Sequence, residues 1–412
     1  MKNIFKISYR NLKRNARRTI LTASLITLGV IFVLVYSALA GSFKSYMVGQ
    51  ITDSMLGHIQ IHKKGYVASV DNLPLDKNLQ AKQLKKIEEF IVDNPMVESY
   101  SYRIKFGAMF SNFVNSTNIR LNAINPKNEF ATLPQLKSRL NGTDDSLLKK
   151  GEILVPELLA KGMKVKKGDT IVLVANNKNG SVNGINLKVA GVVTRISGPG
   201  GRDGYIHLED AKRILRIKGA QVSEVVIRLK DVSMLSKMKE SLKPLQKILN
   251  KQGKPTFEVH TWTQLSPFYN VVKMLDLMNL SIKIILISIV LISILNVMIM
   301  SVYERIKEIG TIAAMGTSPS TIVKLFLAEG FMLGVLGAIL GGISSLIIVK
   351  ILQISNITYS FGKQSDLILN PVLSFTEIIS ISIIVVVISL IASISPAIKA
   401  SKLDPVEALR SN

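Results

Sequence analysis

Residues Glu304–Gly330 read ERIKEIGTIAAMGTSPSTIVKLFLAEG, and this stretch joins two long apolar runs of the chain. Isoleucines recur in it at helical spacing beside charged residues, which predicts a short amphipathic helix where a membrane span leaves the bilayer. Gly310 and Gly316 should loosen that helix, and Ser318 and Pro319 predict the N-cap and the first position of the next one. A charged, kinked connector suits docking on a soluble partner, whereas the spacing alone fits a solvated turn between spans equally well.

Four stretches without a charged residue set the fold class. Each holds at least twenty residues, and they lie between Arg18 and Lys44, Lys283 and Glu304, Glu329 and Lys350, and Glu377 and Lys399. About twenty helical residues cross the hydrocarbon core of a bilayer, and inside it every peptide group must bond internally. The sequence therefore predicts an α-helical membrane protein with four transmembrane helices, at residues 19–42, 277–303, 321–350 and 374–398.

The short segments predict the orientation. Residues 1–18 carry seven basic residues and no acidic one, so this amphipathic lead-in should lie along the cytoplasmic leaflet under the positive-inside rule. The first span shows no convincing small-residue cleavage pattern and is interpreted as a retained anchor. Four crossings then place both termini, the connector 304–320 and the tail 399–412 in the cytoplasm. Residues 43–276 and the loop 351–373 should be extracytoplasmic.

Residues 43–276 are predicted to form a large extracytoplasmic α+β domain of two α/β half-units with a β-rich insert. The first half is predicted as strand 58–62, helix 80–93 and strands over 97–113 and 119–124, and the second as strand 223–229, helix 231–249 and strand 256–260. From Gly151, turn signals and alternating runs predict the insert, with a helix around 156–161 and strands at 170–175 and 185–196. The excess of basic over acidic residues in this extracytoplasmic segment is interpreted as compositional drift ahead of attraction to anionic lipids or an acidic partner, and no nucleic-acid partner is expected on that side of the membrane.

The sequence lacks the motifs of the common catalytic classes. It has no cysteine and no GxxxxGK[ST] motif, which excludes disulfides, thiolate sites and a phosphate-binding P-loop. The glycine-rich residues 198–204 are interpreted as a flexible loop. His58 and His62 share one strand face without a third ligand, while His207 and His260 stand alone, so no metal site is expected. No nucleophile–base set is evident, and the chain is predicted to be a non-catalytic membrane subunit.

The third span carries two GxxxG pairs, Gly330 with Gly334 and Gly337 with Gly341. Rows of glycine let helices approach closely in lipid, so these residues are expected at tight helix contacts. Glu329 beside them is interpreted as an interfacial or helix-packing acid, since no partner charge is evident in the other spans. Because the spans hold few polar residues, we expect them to move against one another or to admit lipid, and not to line an aqueous channel.

The connector and the tail together resemble a known family. Glu304-Arg305-Ile306-Lys307-Glu308-Ile309-Gly310, running on to Ala314-Met315-Gly316, and the tail Leu403-Asp404-Pro405-Val406-Glu407-Ala408-Leu409-Arg410 resemble the motifs of the FtsX-like permeases of ABC transporters. The extracytoplasmic domain resembles the periplasmic core domain of the macrolide-exporter and lipoprotein-releasing branches.

This resemblance implies a type VII ABC half-transporter of the bacterial inner membrane. Two permease protomers, identical or sister proteins, would pair with a dimer of a separate ATPase. ATP and Mg would bind to that ATPase, and this chain would bind no cofactor directly. The residues that the resemblance assigns to the ATPase contact are Glu304, Arg305, Lys307, Glu308, Ile309, Gly310, Met315 and Gly316.

Within the family, Gly57–His62 followed by Gly65 and Tyr66 looks like the lipoprotein-releasing branch. The resemblance then implies that the lipid anchor enters the protein between the outer ends of the first and second spans. From there the lipoprotein would pass from the membrane lipids to a periplasmic carrier. Candidate residues for holding the acyl chains are Val33, Tyr36, Ala40 and Phe43 at the first span, which would face Leu291, Leu295 and Met298 of the second. Two alternatives stay open: an exporter-like permease working with an adaptor and an outer-membrane duct, and a regulatory transmitter that activates a cell-wall hydrolase or a sensor kinase.

Overall fold

The computed structural model describes residues 2–141, 148–194, 203–361, 364–404, 406 and 408. The chain divides into two compact units: Met1–Ser45 with Val271–Asn412, called here the helical unit, and Tyr46–Asn270, called here the α/β domain. Most of the glycine-rich segment 198–204 and most of the tail beyond Asp404 lie outside the described residues.

The elements follow one another along the described residues. The α-helices are α1 (Lys2–Arg14), α2 (Ala16–Ile51), α3 (Ala81–Ile91), α4 (Pro126–Thr132), α5 (Pro134–Ser138), α6 (Glu157–Gly162), α7 (Leu208–Leu215), α8 (Leu235–Ser241), α9 (Lys243–Gln246), α10 (Trp262–Leu265), α11 (Tyr269–Glu304), α12 (Ile306–Ala314), α13 (Pro319–Ile354) and α14 (Phe375–Ser401). The strands are β1 (Ile59–Lys63), β2 (Leu79–Gln80), β3 (Val97–Ser111), β4 (Ser116–Ile124), β5 (Leu140–Asn141), β6 (Glu152–Pro156), β7 (Thr170–Asn176), β8 (Val182–Val193), β9 (Gly204–His207), β10 (Gln221–Val222), β11 (Glu224–Leu229), β12 (Phe257–Thr261), β13 (Thr358–Phe361) and β14 (Gln364–Ile368). A π-helical turn covers Thr52–Leu56, and short 3-10 helices cover Val67–Asn72, Leu75–Lys77 and Val232–Met234.

Among the described residues, four helices are long and apolar enough to cross a membrane, and they are α2 with the turn that follows it, α11, α13 and α14. The prediction of four membrane helices is confirmed. Helices α2, α11 and α13 each run for 36 residues, about 54 Å at 1.5 Å per residue, so they are longer than the hydrocarbon core requires. The buried side chains between them include Val30, Leu34, Ile294, Phe326 and Val385.

The connector between α11 and α13 is a true helix with a defined end. Gly316 has a φ of +86°, and its amide and the next one bond back to carbonyls of the last turn of α12, which is a Schellman motif. Gly316 therefore ends the helix, and Gly310 is buried inside it, so neither acts as the loosening element that the sequence predicted. Pro319 is the first residue of α13, as predicted. The Ser318 hydroxyl bonds to the Thr321 hydroxyl at 2.9 Å and makes no bond to a backbone amide.

The α/β domain is built on one ten-stranded sheet in the order β12-β1-β11-β3-β4-β9-β6-β8-β5, in which β7 pairs with β3 and β8. Neighbouring strands are antiparallel except for β4 with β9 and β6 with β8. The strands predicted as an insert join this same sheet through β9 on β4 and β7 on β3. Strands β1, β11 and β12 are adjacent although β1 lies far from the other two in sequence.

Helical spacing in the sequence matches the buried faces of the domain. In α3, Leu84, Ile87 and Ile91 are buried against the sheet, as their spacing predicted. The helix predicted over 231–249 is wrong as a single element, because it breaks into a 3-10 turn, α8 and α9. Pro244 stands in the first turn of α9. Proline lacks an amide hydrogen and its ring clashes inside a helix, so it is tolerated only at a helix start, and α8 has to end before it.

Candidate functional site

A buried ion pair joins the connector to the third span. Arg305, between α11 and α12, donates from Nη1 to both carboxylate oxygens of Glu329 in α13, at 3.0 and 3.2 Å. Only 7% of Arg305 and 3% of Glu329 is exposed. Arg305 also donates from Nε to Glu308 Oε2 at 3.0 Å and lies 5.9 Å from the ring centre of Phe326. A guanidinium removed from water needs such partners, because a buried unpaired charge is strongly destabilising.

Helix α1 contacts the same group from another side. Asn11 donates from Nδ2 to Glu329 Oε1 at 3.1 Å, and Arg14 forms an ion pair with Glu308. Positions 11 and 14 lie on one helix face because they are three residues apart. We call these five residues, Asn11, Arg14, Arg305, Glu308 and Glu329, the Glu329 cluster. It joins α1, the connector and α13.

The predicted ATPase-contact residues divide between two sides of the connector. Those with exposed side chains or backbone are Glu304, Lys307, Glu308, Met315 and Gly316, and those that are buried are Arg305, Ile309 and Gly310. The buried three pack within the helical unit, since residues four apart in a helix point to one side, and their role in coupling to the ATPase stays a prediction. For the exposed five, the contact stays a prediction.

Sequence reasoning missed the partner of Glu329. It searched the other spans for an opposite charge and found none, but the partner is Arg305, which follows directly on the second span. A usable signal was present: each residue stands at the edge of an apolar run, and the two runs are joined by one short helix. Asn11 gave no signal, because an amide among basic residues is ordinary.

The two GxxxG pairs of α13 pack against different helices. A Cβ added to Gly334 would lie 2.8 Å from the Cβ of Ser389 in α14, and one added to Gly341 would lie 2.5 Å from the Cβ of Val30 in α2. The first glycine of each pair approaches the same helix as the second. The Ser389 hydroxyl also donates to the Gly330 carbonyl at 2.6 Å. These positions leave no room for a side chain, so glycine is what lets α13 approach both neighbours.

Two contacts define how α2 and α11 run past each other. The Tyr36 hydroxyl donates to Asn279 Oδ1 at 2.9 Å, and a Cβ on Gly29 would lie 2.2 Å from Val290 Cγ2. Residue numbers rise along α11 as they fall along α2, so the two helices are antiparallel. Residues of α11 that follow Val290 therefore lie further from the level of Tyr36, by about 1.5 Å for each residue.

This register corrects the predicted group of acyl-chain residues. The α2 members and the α11 members do not face one another, because Leu291, Leu295 and Met298 lie level with Gly29 and beyond. Val33 and Met298 are in addition buried in the core of the helical unit, at 0% and 1% exposure. The half-buried members are Tyr36, Ala40, Phe43, Leu291 and Leu295.

A polar cluster joins α14 to the two spans, α2 and α11, that lead toward the α/β domain along the chain. Lys283 of α11 pairs with Glu377 of α14 at 2.9 Å, and both side chains are about three-quarters buried. The Ser37 hydroxyl of α2 also bonds to Glu377. These residues stand at the outer limits of the apolar runs, and sequence reasoning used them only as boundaries.

Charged side chains are also buried inside the α/β domain. Arg103 is 2% exposed and donates to Glu129 Oε1 at 2.7 Å and Glu224 Oε1 at 3.0 Å. Burial opposes the charged form of Arg103, but the two carboxylates outweigh it and raise its pKa. Burial likewise opposes ionisation of Glu224, and Lys105, His62 and Arg103 together hold the pKa of its carboxyl well below the usual range. The network ties β3, β11 and α4 together.

The histidines differ in their surroundings. His58 is buried and its Nδ1 accepts from the Leu229 amide at 2.8 Å, and burial lowers the pKa of its imidazole. His207 accepts at Nδ1 from the amide two residues on, at the start of α7. The prediction that His260 stands alone is wrong, because its ring centre is 5.9 Å from that of His62. The sequence could not show this, since β1 and β12 pair across nearly 200 residues.

The chain matches two family models. The FtsX-like permease C-terminal model matches residues 280–405, and the MacB-like periplasmic core domain model matches residues 19–245.

Individual relatives are similar to the chain over different lengths. The lipoprotein-releasing system transmembrane protein LolC of Haemophilus influenzae is 21% identical, and the match covers 93% of this chain and 91% of that protein. The macrolide export ATP-binding/permease protein MacB of Bdellovibrio bacteriovorus is 28% identical, over 56% of this chain and 35% of that protein. A crystal structure of the periplasmic region of MacB from Actinobacillus actinomycetemcomitans is 14% identical with a TM-score of 0.35, over 52% of this chain and 92% of that one.

The two family models together run through all four membrane helices and most of the α/β domain. The core-domain model alone spans more than half of the chain. The chain thus belongs to the MacB/LolC-type ABC transporter permeases, inner-membrane proteins that combine a MacB-like periplasmic core domain with an FtsX-like permease region.

Proposed function

We propose that this chain is the permease subunit of a lipoprotein-releasing ABC transporter. A separate ATPase dimer would bind and hydrolyse ATP with Mg, and the permease would use that energy to lift lipoproteins out of the inner membrane toward a periplasmic carrier. The observation that carries this proposal is the near end-to-end match to LolC, over 93% of this chain and 91% of that protein. The match to MacB leaves 65% of that longer protein uncovered.

The exposed side of the connector is the proposed ATPase contact. Lys307 and Glu308 expose their side chains on α12, and Met315 at its end is 73% exposed. With the basic α1 and the connector in the cytoplasm, these residues face the compartment where ATP is hydrolysed. On the opposite side of the connector, Arg305 binds Glu329, so a displacement of the connector is passed to α13 by a short, charged contact.

The spans provide a route for an acyl chain without an aqueous pore. Helix α11 carries a row of exposed apolar residues, which include Ile284, Ile285, Ile289, Ile292 and Met300. In a bilayer such a face meets lipid tails or a second protomer. We place the lipid anchor against the half-buried Tyr36, Ala40 and Phe43 of α2, near the end of the span that leads into the α/β domain.

Reconstitution tests the function directly. The permease and its partner ATPase are placed in proteoliposomes with a tagged, acylated lipoprotein, and a soluble carrier is added outside. We expect lipoprotein to appear on the carrier only when ATP is present, and not when ATP is replaced by a non-hydrolysable analogue. ATP turnover without any release would contradict lipoprotein extraction while leaving the coupling site intact.

An exporter is the second candidate function. It is favoured by the higher identity to MacB, 28% against 21% for LolC. In the same proteoliposomes an exporter would release no lipoprotein, and its ATP turnover would instead rise on adding a periplasmic adaptor protein. That pair of results would replace the lipoprotein proposal.

A further inference from the structure

The α/β domain holds a polar cluster that the proposed function does not use. It consists of His62 on β1 with Glu258 and His260 on β12. In the antiparallel register His62 opposes Glu258, and Gln60 opposes His260, so the three side chains leave the same face of the sheet. One possible ligand atom of each lies within 4.8 Å of the other two.

Both imidazoles have a nitrogen without a partner. Nδ1 of His62 and Nδ1 of His260 are buried and make no hydrogen bond among the described residues. His62 as a whole is 1% exposed, and buried polar atoms nearly always have a partner. The other nitrogen of His62, Nε2, faces Glu224 Oε2 at 3.4 Å. A histidine that ligates a metal through one nitrogen commonly donates its other N–H to a carboxylate in this way.

The carboxylate of Glu258 is already held in place. Its Oε2 accepts from the Gly65 amide at 3.1 Å and its Oε1 from the Val67 amide at 2.9 Å. Each oxygen keeps a second lone pair for another bond. Lys64 Nζ lies 3.8 Å from Oε2, but the lysine side chain is 59% exposed. An exposed ion pair of that kind contributes little stability, so a divalent ion can replace the lysine ammonium beside the Glu258 carboxylate.

We propose that His62, Glu258 and His260 bind one divalent transition-metal ion, with Zn²⁺ as the best match. Two imidazoles and one carboxylate form a nitrogen–oxygen set that zinc accepts, and a water molecule completes four-coordination. Ligand atoms around tetrahedral zinc lie about 3.4 Å apart. Binding would draw the three ligand atoms together to that spacing from the separations of up to 4.8 Å that they have without the ion.

The ion would join two particular strands. In the chain, β1 follows the first membrane helix and β12 precedes the second. A ligand set shared by both strands adds a cross-link to their backbone pairing. The inference is independent of which substrate the transporter carries.

Zinc binding by the full-length permease in detergent tests the proposal. The protein carries an affinity tag without histidine, is stripped with chelator and is then dialysed against Zn²⁺. We expect one zinc per chain by elemental analysis, and visible d–d bands of tetrahedral Co²⁺ when cobalt replaces zinc. In competition with a coloured chelator, His260→Gln and Glu258→Gln should each lower the zinc affinity at least tenfold, since even outer-sphere partners of a ligand are worth 10- to 100-fold.

His207→Gln is the matched control, because it removes a histidine of the same domain outside the cluster, and it should leave zinc binding unchanged. Glu258→Gln disturbs the Gly65 and Val67 contacts, so each variant is checked by circular dichroism. Should that variant fail to fold, His260→Gln decides, since Nδ1 of His260 makes no hydrogen bond that the change would lose. Equal zinc content and affinity in wild type and His260→Gln would overturn the proposal, as would a wild type that binds no zinc.

Discussion

Removing Arg305 from the Glu329 cluster should destabilise the helical unit strongly. Arg305→Met leaves the 3% exposed carboxylate of Glu329 without its guanidinium, and breaking a buried ion pair from one side lowers stability by about 3–5 kcal/mol. Asn11 still donates to that carboxylate, which places the expected loss near the lower end, about 3 kcal/mol. The reverse change, Glu329→Gln, should have a smaller effect, because Arg305 keeps Glu308 as a partner at 3.0 Å.

The double variant Arg305→Met with Glu329→Met separates pairing from packing. Replacing both charges by apolar side chains removes the unpaired charge, and such replacements are often neutral or stabilising. We expect the double variant to be more stable than Arg305→Met alone by about 2 kcal/mol or more.

The assay is unfolding of the purified permease by SDS in mixed micelles, followed by the helical signal in circular dichroism. Lys307→Met is the matched control, since Lys307 is exposed in the first turn of α12, two residues after Arg305, and should change stability by less than about 0.5 kcal/mol. A loss below about 1 kcal/mol for Arg305→Met, or a double variant no more stable than that single change, would refute the argument that the pair is buried and coupled.

Three further outcomes are expected. In the same SDS titration, Gly334→Ala should lower the stability of the helical unit by about 1–3 kcal/mol through overpacking. Gly342→Ala is its control: the added Cβ meets nothing closer than 3.5 Å, so the change in stability should be less than about 0.5 kcal/mol. Lys307→Glu should leave that titration unchanged and abolish the stimulation of ATP turnover by the permease, because it reverses an exposed charge at the proposed ATPase contact; normal stimulation would remove Lys307 from that contact. His58 has a pKa below its unfolded value, so its contribution to stability is present above about pH 6.5 and is lost as the pH falls through the folded pKa. The protection factor of the Leu229 amide, which compares its exchange rate with the intrinsic rate at the same pH, should therefore fall on acidification, and His58→Asn should reduce that fall.

The membrane part of the fold could be predicted from sequence because its physics is local. A run of twenty uncharged residues must be helical in lipid whatever surrounds it, and all four such runs are helices. In the α/β domain, periodicity predicted α3 and most strands, but one predicted helix was broken at Pro244. The order of the strands depends on pairing between distant segments, such as β1 with β12, and a single sequence carries no signal for it.

The candidate site could be predicted only in part, for the same reason. The position of the connector followed from its charges between two apolar runs. The side that each residue faces could not be predicted from the sequence. Arg305 and Lys307 are both basic, and only the position of Glu329 in a neighbouring helix makes Arg305 buried while Lys307 is exposed. The register of α2 against α11 is likewise set by Gly29 and Tyr36 contacts, and it places the α2 and α11 halves of the predicted acyl-chain group at different levels.

The packing of the helical unit indicates which helices move together. Helix α13 approaches α14 and α2 so closely that a single methyl group would collide at four glycines, and packed surfaces of that kind shift as bodies instead of deforming. Helix α11 has a largely exposed apolar face, and it meets α2 at one glycine, a few polar contacts and buried apolar side chains that include Val290 and Ile294. It also continues without a break from the connector to Tyr269, about 54 Å over 36 residues. Under the proposed coupling, a push on α12 would reach α13 through Arg305 and the start of α11 along its own hydrogen-bonded backbone. Along the chain, α2 leads into β1 and α11 is preceded by β12, and these two strands are neighbours in the sheet, so both chain connections between the units lead into one pair of hydrogen-bonded strands.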